Sequence, residues 1–136
     1  MSDLDHAHLL FSMATDDLSA LKGMLRLENE TENHFSDEIF GFHAQQCVEK
    51  SLKAWIASIG ETYPKTHNIL TLLQILDAAG VDVSIFAHLV DLNSFAVQFR
   101  YESLVDSDEP LDRKAIIEDV EQVFFRVRDT LTIQEP

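Results

Sequence analysis

Cysteine is almost absent from this chain. Cys47 stands alone among 136 residues, so no disulfide can form within it, as is usual for proteins kept in a reducing compartment. Glycine and proline are scarce too, at 4 and 3. That is too little turn chemistry for a sandwich or barrel of many short strands. No apolar run approaches the roughly 20 residues that a membrane-spanning helix needs. The N-terminal MSDLDHAHLLF is acidic where a secretory signal is basic. These absences predict a cytoplasmic protein with no membrane among its partners. Positive charge is also in short supply: 10 Lys and Arg face 24 Asp and Glu, for a net charge of -14. Such a molecule repels nucleic acid and anionic lipid at long range. A polyanion site on it has to be a local basic pocket, and most of its acids serve solubility.

What remains is helical. Length matches one domain, residues 1–136, able to bury a core without staples. Leu4, Ala7, Phe11, Ala14, Leu18, Leu21 and Leu25 recur every three or four residues, which predicts a first helix from about Leu4 to Leu27 with Ser2 as N-cap. The polar run 28–34 reads as a loop. Ser36 caps a second helix that runs to about Ile59 and stops at Gly60. Pro64 marks a connection, Thr66 caps a third helix bearing Ile69, Leu72, Leu73 and Leu76, and Gly80 ends it. Ser84 starts a fourth helix with Ile85, Phe86, Leu89, Val90 and Val97 inward. After the break at Ser107–Pro110, a fifth carries Ile116, Ile117, Val120, Val123, Phe124, Val127 and Leu131. Long amphipathic helices on short connections form an all-α, up-and-down bundle of four or five helices. No segment alternates with the two-residue period of a strand.

Most catalytic chemistry is missing from the pattern. There is no glycine-rich phosphate loop, GxSxG elbow or HExxH pair. No histidine follows a Glu at the spacing of a di-metal bundle. Neither a metal nor a cofactor is expected. Cys47 falls on the apolar side of its helix, as a small core residue does.

The second helix is the informative one. Ala44, Cys47, Val48, Ser51, Leu52, Trp55 and Ile59 share one side, and His43, Gln46, Lys50 and Lys53 share the other. Glu49 stands four residues before Lys53, the favourable order for a helical ion pair. The polar stripe is either a solvated face with that one pair, or a strip able to hold a phosphate or an acidic partner surface.

The run QQCVEKSLKAWI, followed by YPKTHNILTLL, resembles the signature of HEPN domains. It supplies Gln46, Glu49, Lys50, Lys53 and Ala54, then Gly60, Pro64, Thr66, His67 and Asn68; Arg100 and Tyr101 add an Arg-Tyr pair found in many members. The resemblance implies an HEPN-like helical bundle that usually forms a homodimer. It further implies one of three roles: partner of a minimal nucleotidyltransferase in a toxin–antitoxin or stress-type pair, metal-independent RNase toxin, or nucleotide-binding dimer. On these grounds Gln46, Lys50, Lys53, His67, Arg100 and Tyr101 are the candidate nucleotide- or RNA-binding residues. The family's RNase motif places a His four to six residues after an Arg. Val105, Asp106 and Ser107 fall at the nearby positions after Arg100, and no His follows Arg100 at all. Arg100 is thus a catalytic candidate without its proton-transfer partner, and a binding module is the preferred reading. Phe95, Phe99, Phe124 and Phe125 add apolar surface that a homodimer would cover.

Overall fold

The computed structural model describes residues 3–27, 35–96 and 111–134. They form α1 (Asp3–Leu27), α2 (Asp37–Ser58), α3 (Ile69–Ala78), a 3-10 helix η1 (Ser84–Phe95) and α4 (Arg113–Gln134). No strand occurs among the described residues. The expected all-α bundle is therefore the architecture found. Ser2, the run 28–34, Val97, Phe99 and the break at 107–110 lie outside the described residues.

The first and last helices follow their apolar stripes. Ala7, Ala14, Leu18 and Leu21 of α1 are buried, with Leu4, Phe11 and Leu25 packed on their flanks. Ile117, Val120, Val123, Phe124, Val127 and Leu131 of α4 are buried as their spacing requires. Phe11 stacks on Phe124 with ring centroids 4.6 Å apart, joining α1 to α4. Among the aromatics expected at a dimer surface, Phe124 is buried and Phe95 and Phe125 pack against the core. The large apolar side chains left most exposed are instead Ile133, Ile85 and Leu9.

α2 begins where its cap predicts. The Ser36 side chain accepts a hydrogen bond from the Ile39 N–H at 3.2 Å. It ends at Gly60, whose φ of 78° is the left-handed conformation that favours glycine. There the Gly60 N–H donates to the Ala57 carbonyl and the Glu61 N–H to the Ile56 carbonyl, both at 3.1 Å. Gly80, with φ 90°, closes α3 by the same pair of bonds.

The cap of α3 differs from the sequence expectation. Asn68, not Thr66, is the N-cap, and its side chain accepts from the Leu70 N–H at 2.9 Å. The Thr66 hydroxyl instead accepts from the Asn68 N–H, forming the turn that leads into the cap. A second asparagine completes the arrangement from across the fold. Asn93 of η1 accepts from the Ile69 N–H and donates to the Asn68 side chain, both at 2.9 Å. Asn68→Ala is expected to cost about 1–2 kcal/mol, read from the urea midpoint. Thr66→Ala should cost less; the reverse order would return the cap to Thr66.

The fourth helix also differs. It is a 3-10 helix, with Phe86, Leu89 and Leu92 buried and Phe95 packed beside them. At three residues per turn, side chains three apart eclipse one another, and these four follow that spacing. Ile85, expected inward, is 54% exposed, and Val90 is only half-buried. Gly41 of α2 makes room for the end of η1: a Cβ there would fall 2.4 Å from the Phe95 ring.

α2 touches every other element, and side-chain pairs set the directions. His6 meets Tyr63, just beyond the end of α2, and Asp17 meets His43 and Lys50, so α1 runs antiparallel to α2. Arg113 meets Asp37 and Arg126 covers Trp55, so α4 runs alongside α2 in the same direction. No helix among the described residues is long and apolar enough to cross a membrane.

Candidate functional site

The polar stripe of α2 is not the solvated face that its pattern also allowed. Ala44, Cys47, Val48, Ser51, Leu52 and Trp55 are buried on the apolar side as expected, and Ile59 is half-buried. On the polar side, however, the Lys50 and Lys53 side chains are only 18% and 13% exposed. The helix is sunk deeply enough that its charged groups need partners within the protein.

Two buried carboxylates supply them. Asp17 comes from α1, where it is buried beside Leu18 on the inward side between Ala14 and Leu21. One of its oxygens accepts from Lys50 Nζ at 2.8 Å and the other from His43 Nδ1 at 2.9 Å. Glu49 of α2 repeats the scheme. One oxygen accepts from Lys53 Nζ at 3.0 Å and the other from His67 Nδ1 at 2.9 Å. Each carboxylate thus binds a lysine on one side and a histidine on the other. An isolated buried charge is costly, and this pairing offsets much of that cost.

Amides fix the second set. Gln45, fully buried, donates to Glu49 Oε1 and to the His67 carbonyl, both at 3.0 Å. It thereby ties α2 to the segment before α3. Gln46 donates to Gln45 Oε1 at 2.7 Å. Lys53 also lies over the Tyr63 ring, 5.3 Å from its centroid, and His6 Nε2 sits 2.8 Å from the Tyr63 hydroxyl.

Electrostatics follow from this geometry. Burial alone raises the Glu49 pKa, but hydrogen bonds from Gln45, His67 and Lys53, with the Lys53 charge, hold it below its ordinary 4.5. Burial, with the nearby Glu49 charge, raises the Tyr63 phenol. Burial and the Asp17 charge push the Cys47 thiol up to about 12. Cys47 is therefore an inert core thiol rather than a nucleophile. The Glu49 shift has a defined sign. A carboxylate whose pKa falls on folding contributes stability above its unfolded pKa and loses it as pH drops through the folded one. The stability gap between wild type and Glu49→Gln should therefore be present at neutral pH and shrink below about pH 4.5. Urea titrations of both proteins across pH 3–7 check this; a gap that widens in acid would contradict it.

Of the six residues singled out from the sequence, the structure gathers Gln46, Lys53 and His67 around Glu49 and ties Lys50 to Asp17. Arg100 and Tyr101 lie outside the described residues. Asp17, Gln45 and Tyr63 belong to the network although the sequence reading passed over them. Asp17 had a visible signal, an acid beside an apolar stripe. Gln45 stands four residues before Glu49 on the same helix, the spacing of a helical side-chain pair, whereas Tyr63 had no signal beyond proximity to the motif. The two lysines are paired with the two carboxylates, and His43 and His67, on the other side of each carboxylate, are 31% and 47% exposed. Among the described residues no group of His, Cys, Asp and Glu is arranged to hold a metal ion.

A family model described as "HEPN domain" matches residues 7–130. No curated protein matches the chain, and no solved structure does.

Proposed function

The chain belongs to the HEPN domain family, and on that premise we propose that it is a non-catalytic binding module, the partner of a minimal nucleotidyltransferase in a toxin–antitoxin or stress-type pair. The observation that carries this reading is the internal neutralisation of the α2 stripe. A metal-independent RNase needs a cation free to polarise the phosphate and a histidine free to exchange protons. Here Lys50 and Lys53 are engaged by buried carboxylates, and no His follows Arg100. The net charge of -14 further disfavours a polyanion substrate and suits a protein partner with a basic face. Without that partner the chain forms a homodimer, for which light scattering at micromolar concentration is the check.

The direct test is to read the adjoining reading frames for a small nucleotidyltransferase and to co-express the chain with it; a solitary gene would count against the partnership. The expected result is co-elution as one complex, with no RNA cleavage by the HEPN chain in the absence of metal. Arg100-dependent cleavage would overturn the non-catalytic reading, and separate elution would overturn the partnership.

A second reading keeps a ligand in view. His67 is the most exposed member of the network and stands beside Lys53 and Gln46 around Glu49. A nucleotide phosphate held there by Gln46, Lys50, Lys53 and His67, with Arg100 and Tyr101, would make the chain a nucleotide-binding dimer. Titrating a nucleotide panel and a short RNA against wild type and Arg100→Ala distinguishes it. Saturable binding weakened by Arg100→Ala would favour it, and no binding would remove it.

A further inference from the structure

Leu9 and Met13 of α1 are 51% and 42% exposed. Four residues apart, they lie one above the other on the same face of the helix. Among the described residues they are the one pair of large apolar side chains exposed on successive turns of a single helix. They stand well inside α1, between His6 and Asp17, through which α1 is bonded to Tyr63 and to α2. Asp16, the next position along the same line, is exposed as well. On α2, Lys50 is paired with Asp17 and Lys53 with Glu49.

We propose that the Leu9–Met13 strip is the surface on which two copies of this chain pair, about a two-fold axis crossing α1 between these residues. Antiparallel pairing there sets Leu9 of each copy against Met13 of the other, as a self-complementary contact requires. Charge selects both the occupant and the axis. The lysines of α2 nearby already have carboxylate partners, so the strip offers a charged ligand little, whereas a second copy brings the same apolar pair. Two copies at -14 each repel at long range, so the pairing has to keep acid from meeting acid. A parallel arrangement of the two α1 helices sets Asp16 against Asp16. The antiparallel one brings Asp16, three residues beyond Met13, level with His6 of the second copy, three residues before Leu9. The strip is short, so the dimer is weak and exchanges with monomer. The inference rests on the reading of the chain as a homodimer in the absence of its partner, and assigns the surface that makes it.

The test is sedimentation of the full chain across micromolar to millimolar concentration. Leu9→Lys combined with Met13→Lys should raise the dimer Kd at least ~10-fold while leaving the circular dichroism unchanged. Ile85→Lys, at an equally exposed apolar position on η1, should leave it intact. Cross-linking reads the register. Cys47 is buried, so Leu9→Cys and Met13→Cys each present one accessible thiol. In an equal mixture, the disulfide joining the two variants should form faster than the disulfide of either variant with itself. Self-disulfides that form as fast as the mixed one would overturn the pairing. A dimer that survives the double lysine variant unchanged removes the strip and leaves the homodimer standing. A wild-type chain that stays monomeric throughout overturns both. If that variant still dimerises but no longer co-elutes with the nucleotidyltransferase, the strip belongs to the enzyme and the proposal falls.

Discussion

Truncating Glu49 to alanine is expected to lower the unfolding free energy by about 3–5 kcal/mol, the range for removing one member of a buried ion pair. The side chain is 5% exposed and accepts hydrogen bonds from Gln45, Lys53 and His67. Its loss leaves the Gln45 amide without its Glu49 contact and the largely buried Lys53 ammonium without its counter-charge. Glu49→Gln keeps the volume and removes the charge, so it should cost less. Equilibrium urea unfolding of both variants measures the difference. A loss below about 1 kcal/mol for the alanine variant would mean that Lys53 reaches water, and that Glu49 is not the centre of the network.

Trp55→Ala should match that effect through a different cause. The indole is 3% exposed, meets the Phe86 ring edge-on at 6.1 Å, and carries the Arg126 guanidinium 5.3 Å above it. Removing it empties a large volume among α2, η1 and α4, at a cost of about 3–5 kcal/mol. Trp55→Phe preserves most of the contact and should cost clearly less. Calorimetry or urea titration decides. A change under about half a kcal/mol, the size typical of surface substitutions, would place Trp55 outside the core.

These two residues also mark how far the sequence could be read. Trp55 lies on the apolar side of a clear helical period, and its burial follows from spacing alone. Ser36, Gly60 and Gly80 announced their helix ends in the same local way, because capping is decided within a few residues. Glu49 shows where local reasoning stops. Spacing gave its pair with Lys53 and equally allowed the Gln45 bond, four residues away on the same helix, but not His67, since that contact depends on how the segment after α2 folds back. Asp17 was further out of reach, because its partners come from another helix. Thr66 was the expected cap, but Asn68 is a cap residue at least as good, and Asn93, distant in sequence, bonds to it. The fourth helix failed for a related reason. Spacings of three fit both an α-helix and a 3-10 helix over two turns, and only packing on Gly41 and Trp55 separates them. The basic patch expected from Lys50 and Lys53 was drawn from residue type, whereas its net charge depended on carboxylates that the stripe did not include.

Cys47 lends the molecule an internal clock. Its thiol is fully buried at the middle of α2 and holds its proton up to about pH 12, so a thiol reagent finds almost no thiolate while the helix stays in place. Since α2 touches every other element, fraying of an end does not release that side chain. Labelling of Cys47 therefore proceeds at the pace of whole-molecule opening. One native residue, with no engineered probe, can time how often the bundle comes apart and how much a bound partner slows it.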